Sequence, residues 1–250
     1  MTKLVDTLQA CKILLPEDFF RVYAKLFEPE HVERLASRLL NFWEHGVPAS
    51  FPEPHFSVEC TPPLSEVFAP FETSLIAWER ASDKLASQLL QQFAASIVAA
   101  GCKNILILLG QRLTPASLTD VQGIPPTRAQ LIAAVQQPYN KEMTVAGRAW
   151  SKHAHRSPDK FWGEVRGSSA DKNQAAFKLI VSIMDNTTWW NIFGHFQHET
   201  VYEARVPTGH GVRWGKGGNE LIGFLEPFDE PKENENAQPG AGSSACPAAE

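Results

Sequence analysis

The chain lacks an uninterrupted run of about 20 apolar residues, the length that a helix needs to cross a bilayer. Its longest apolar region, 93–109, is broken by Gly101, Lys103 and Asn104. It reads as the end of a helix, a turn and a buried strand over 105–109, so no membrane partner is expected. The first 20 residues have no basic stretch leading into an apolar core and a small-residue cleavage site, so they do not read as a secretory signal. No glycine follows Met1 for myristoylation, and the ending CPAAE is not a prenylation signal. Cysteine is scarce, at four residues, and none forms a CxxC pair. A disulfide framework is therefore not expected, and a cytoplasmic or nuclear location fits. Cys11 and Cys102 read as small buried hydrophobes. GxSxG, the P-loop and GxGxxG are all missing, which removes the readiest routes to a serine hydrolase or a nucleotide-binding βαβ unit.

What is present is unevenly spread. Residues 1–140 carry 11 basic and 14 acidic side chains, residues 141–228 carry 11 and 9, and residues 229–250 carry one and five. The reading is α+β: a helical N-terminal half, a C-terminal helix with a small antiparallel β-meander, and a disordered acidic tail. The expected divisions are a mainly helical region 1–110, an α+β region 111–228 that carries the candidate site, and the tail 229–250. That tail is polar and rich in Pro, Gly, Ser and Ala, with too little apolar surface to offset the entropy of ordering it.

In the first half, Pro16-Glu17-Asp18 marks a helix start. Residues 29–44 repeat apolar side chains at helical spacing, and a long helical pattern covers 65–100 with a bend at Pro70. Trp78, Leu85, Leu89, Phe93 and Val98 are its expected core. Five prolines make 46–63 irregular. Within 114–136, Leu118, Val121, Gly123, Ile124, Ala129 and Ile132 partly resemble a helix-hairpin-helix motif. Pro125 replaces its second hairpin glycine and has no N–H to offer a nucleic-acid backbone. A turn followed by a helix is the plainer reading.

The second half predicts helices over 148–156 and 171–185, then strands at 200–206, 212–214 and 221–225, with turns at 207–211 and 216–219. Five of the eight histidines and five of the seven tryptophans fall between residues 150 and 214. On a helix, Arg148, Lys152, His155 and Arg156 share one face, where like charges oppose one another unless an anion or carboxylate intervenes. A hairpin centred on Gly209 sets Arg205 opposite Arg213, with Glu203 two residues along. Either Glu203 bridges the two cations or they clamp an anion.

Three functions follow. The first is an intracellular protein that binds a phosphate-bearing ligand, a nucleotide or RNA. Arg148, Lys152, Arg156, Arg205, His210 and Arg213 would contact it, with Trp150 or Trp214 as a stacking surface. The second is a hydrolase with His153, His155, His198 and Glu199 as catalytic residues. It could be metal-dependent, with three ligands drawn from those residues and His195. In this reading His195 and His198 share a helical turn. The third is a non-catalytic protein that docks a protein partner through its helical N-terminal half. No motif names a cofactor.

Overall fold

The computed structural model describes residues 2–197 and 199–228. The tail expected to be disordered, 229–250, lies outside the described residues. The chain forms two compact units, one of Met1–Phe51, Thr61–Gln111 and Leu118–Ile124, the other of Pro52–Cys60, Arg112–Ser117 and Pro125–Glu250.

The first unit holds five α-helices: α1 (Thr2–Cys11), α2 (Glu17–Tyr23), α3 (Pro29–His45), α4 (Leu64–Arg80) and α5 (Ser87–Leu108). Proline at the first position of α3 costs no hydrogen bond, and Val32, Leu35, Ala36, Leu39 and Phe42 recur every three or four residues on its buried side. The single pattern over 65–100 is in fact two helices, separated at 81–86. Apolar spacing persists through the break, which hides it. Leu85 falls in the connection and is 52% exposed, while Val98 lies on the outer side of α5 and is 41% exposed.

The strand expected over 105–109 is helical. Gly101 adopts φ 67°, ψ 172° inside α5, so the chain bends there and resumes its helix. In a short, wholly apolar run, period cannot separate strand from buried helix. By length and composition α5 is apolar enough to cross a bilayer, contrary to expectation, and half of its most apolar window is buried within the protein. Cys11 and Cys102 are free and buried. Burial pushes both thiols up to about 12. Cys60, in the other unit, is disulfide-bonded, against the expectation that cysteines stay unpaired.

The second unit is α+β. It contains α6 (Arg128–Gln136), α7 (Val145–Arg156), α8 (Ser169–Asp185) and strands β1 (Trp189–His195), β2 (Glu199–Arg205), β3 (Gly211–Gly215) and β4 (Glu220–Leu225). Each helix starts on a side-chain cap: Thr127, Thr144, and Ser168 in a reciprocal capping box with Asp171. Gly147 lets α7 approach α8, because a Cβ there would lie 2.2 Å from Asn173 Oδ1.

The strands form an antiparallel meander in the order β1-β2-β3-β4. One face carries Trp190, Ile192, Tyr202, Ala204, Val212, Trp214 and Phe224, all buried. The His153 and Trp162 rings meet Phe224 on this side. The other face carries Trp189, Asn191, Phe193, Glu203, Arg205 and Arg213. A register in which each strand offers one apolar and one polar face fixes the charged set in a single place.

Candidate active site on the open face of the sheet

The polar face of the meander floors a pocket of about 390 Å³. Glu203 on β2 pairs directly with Asn191 on β1 and Arg213 on β3. Arg205 pairs with Trp189 and Gly211. The expected pairing of Arg205 with Arg213 is thus two residues out of register, because the turn between the strands is tighter than a glycine-centred count suggests. Gly211 is required where it stands: a Cβ would lie 2.8 Å from Arg205 Cγ and 2.3 Å from Ala204 O.

Glu203 accepts from both cations. Its Oε1 takes Arg205 Nε at 2.5 Å, and its Oε2 takes Arg213 Nε at 2.9 Å and Nη2 at 2.6 Å. The Glu203 and Arg205 side chains are 4% and 6% exposed, and that of Arg213 is 20% exposed. One carboxylate against two guanidiniums leaves a net positive charge in this trio, in a setting where water screens little. Arg213 Nη1 also lies 3.2 Å from His195 Nε2. Carboxylate, two guanidiniums and imidazole therefore follow one another across three strands. Such a group can bind a phosphate, take a proton and return one.

The pocket wall comes from segments far away in sequence. Asn191 Nδ2 donates to Ser117 Oγ at 2.7 Å and to Thr114 Oγ1 at 3.3 Å. Ser117 bridges to Phe193 at the edge of β1. Phe56 packs edge-on against Trp189 and Phe228 and lies beneath the Arg205 guanidinium. Arg112, fully buried, fastens this wall. Its guanidinium pairs with Glu59 and donates to the carbonyls of Pro52 and Pro54, while its N–H donates to Trp190 O. Prolines offer carbonyls without N–H groups, so a buried multi-donor side chain is a fitting partner for them. Sequence reasoning missed Arg112, Thr114, Ser117 and Asn191. Their only signals were an arginine three residues past an apolar run, after Gly110 and Gln111, and an asparagine inside another.

The anticipated residues separate into several places. Arg205 and Arg213 line the pocket. Arg148, Lys152, His155 and Arg156 lie exposed along α7, with Arg148 over the Tyr139 ring. Trp150 is 4% exposed and donates Nε1–H to Trp162 O, and Trp214 is wholly buried on the helix-covered face. Neither ring has an open face for stacking, since both are used in packing. His195 closes β1 opposite Glu199, which opens β2 and is exposed. The helical turn expected there is a strand end and a hairpin, hidden because β1 is buried on both faces at its start and so does not alternate. His198 lies outside the described residues.

His210 joins a separate cluster. Its Nε2 lies 2.7 Å from Asp159 Oδ2, and its ring stacks on Phe161 at 3.9 Å. The Phe161 N–H and the His210 imidazole hold the Asp159 carboxyl below the usual range. His153 lies 2.9 Å from Glu226 Oε1. The histidines expected to act together are thus split between the pocket rim, the end of α7 and this cluster.

Residues 132–226 match the family model described as the CdiA C-terminal tRNase toxin domain. A solved structure, the toxic C-terminal tip of CdiA from Pseudomonas aeruginosa in complex with immune protein, is 35% identical. The match covers 37% of this chain and 98% of that one, with a TM-score of 0.33. No curated protein matches. The likeness to the CdiA C-terminal tRNase toxin domain is thus confined to residues 132–226, the segment that holds β1 to β4.

Proposed function

We propose that this protein is a ribonuclease that cleaves tRNA at the Glu203 pocket. The observation that carries the reading is a buried carboxylate shared by two guanidiniums, with His195 beside one of them, on the floor of an open pocket. The family description supplies the substrate class.

In this reading a phosphodiester displaces the Arg side chains from part of their hold on Glu203 and takes the surplus positive charge. Glu203 then removes the proton from the ribose 2′-hydroxyl, whose oxygen attacks phosphorus. The bond from phosphorus to the 5′-oxygen breaks, and His195 protonates that oxygen as it leaves. The products are a 2′,3′-cyclic phosphate and a 5′-hydroxyl. Arg205 and Arg213, once turned to the phosphate, stabilise the charge that builds on the non-bridging oxygens. Phe56, Trp189 and Phe193 offer flat apolar surface to a neighbouring base. The P. aeruginosa relative is complexed with an immune protein, and we infer that a dedicated inhibitor protein binds this chain too.

The test is incubation of purified protein with total tRNA and with a tRNA carrying 2′-deoxyribose at the cleaved position. The expected result is a cyclic-phosphate end on the first and no cleavage of the second. Equal cleavage of both, or undiminished activity in Glu203→Gln, overturns the reading.

A further inference from the structure

We propose that Asp159 Oδ2, His210 Nε2 and Glu226 Oε2 form a binding site for a divalent transition-metal ion, distinct from the Glu203 pocket. One ligand atom from each of these residues lies within 4.8 Å of the others. His210 Nε2 is 2.7 Å from Asp159 Oδ2 and 3.8 Å from Glu226 Oε2. Ligands around a tetrahedral zinc ion at bonds of about 2.0 Å stand about 3.3 Å apart, between those two separations. Small side-chain movements therefore suffice to admit an ion.

The surrounding groups are those that a ligand set requires. The second ring nitrogen of His210 is engaged by Thr208 Oγ1 at 2.9 Å, which fixes which nitrogen faces the site. Parallel stacking on Phe161, with 5° between the planes, fixes the ring itself. The Phe161 N–H holds Asp159 Oδ1, and Trp162 Nε1–H holds Glu226 Oε1 at 2.9 Å. Each carboxylate is thus turned so that its other oxygen faces His210. His153 Nε2 lies 2.9 Å from Glu226 Oε1, on the side held by Trp162, and so helps to keep Oε2 turned towards His210.

An ion here would join three separate stretches: the turn at 159–162, the hairpin turn before β3 and the chain after β4. Arg205 Nη1 donates to the carbonyls of Gly209 and Glu226, next to two of the three ligands. Occupancy would therefore steady the Arg205 side chain from behind the sheet, a structural role rather than a step in the chemistry.

The test is calorimetric titration of the chelator-treated full-length protein with Zn²⁺, paired with the visible spectrum of Co²⁺ added to the same protein. One equivalent of tight binding and a tetrahedral Co²⁺ band are expected. His210→Ala, Asp159→Asn and Glu226→Gln should each weaken binding at least 100-fold, and His155→Ala, on the exposed face of α7, should leave it unchanged. Asp159→Asn and Glu226→Gln preserve shape, so circular dichroism will show whether a loss is local. Failure of the wild type to bind either ion, or full retention of binding by both shape-preserving variants, overturns the proposal. The readouts do not involve RNA cleavage, so they stand or fall apart from the proposed ribonuclease activity.

Discussion

Glu203 faces Arg213 directly across β2 and β3 and divides its two oxygens between Arg213 and Arg205. Its removal leaves two guanidiniums without their shared counter-charge. Glu203→Ala should destabilise the protein by about 3–5 kcal/mol, the usual consequence of breaking a buried charged pair from one side. Glu203→Gln keeps the shape and loses the proposed base. Its tRNA cleavage rate should fall by about 10²–10⁴-fold, with a much smaller shift in the urea midpoint than Glu203→Ala. Comparison of denaturation midpoints with single-turnover rates separates the two effects.

Arg213 is the more exposed of the two cations and binds Glu203 through two nitrogens. Arg213→Ala should weaken RNA binding and reduce the slope of log affinity against log salt by about one, the signature of one lost phosphate contact. Arg213→Lys restores the charge but not the planar fork, so it should recover the salt slope without recovering the cleavage rate. Filter binding at several salt concentrations reads both.

The tryptophans divide by face. Trp189 lines the pocket, whereas Trp214 is enclosed on the opposite face, with no hydrogen-bond partner for its Nε1 among the described residues. Nucleotide binding should quench fluorescence in Trp214→Phe as it does in wild type, and less in Trp189→Phe. Unchanged quenching in Trp189→Phe would place the ligand elsewhere.

Cys11 and Cys102 make a prediction about alkaline conditions. Burial raises both thiols from 9.0 to about 12. A raised value means that their contribution to stability is complete below about pH 9 and is lost as pH climbs towards 12. Both should resist a thiol reagent at pH 8 in native protein and react fully in urea.

Much of the fold was legible because helix starts and strand runs are local signals. Pro16 and Pro29 sit where helices begin, whereas the Ser168 cap starts its helix two residues before the expected Asp171. Strands β2 to β4 fall within a residue or two of their expected places. Where burial erased periodicity, legibility failed: at 105–109, where helix and strand look alike, and at β1. Arg205 and Arg213 could be singled out as two cations on one face with Glu203 as one of two readings of what lies between them, but not their register, since Arg213 faces Glu203 rather than Arg205. The rest of the pocket could not, because Phe56, Thr114 and Ser117 reach it only through long-range hydrogen bonds and a buried Arg112.

Arg112 and the stretches it fastens, 52–60 and 112–117, precede the segment 132–226 shared with the toxin family. The charged floor lies inside that segment together with Trp189 and Phe193, while Phe56, Thr114 and the Ser117 that holds Asn191 come from before it. Exchanging Phe56 and Thr114 should therefore alter nucleotide preference more than it alters the rate on a good substrate.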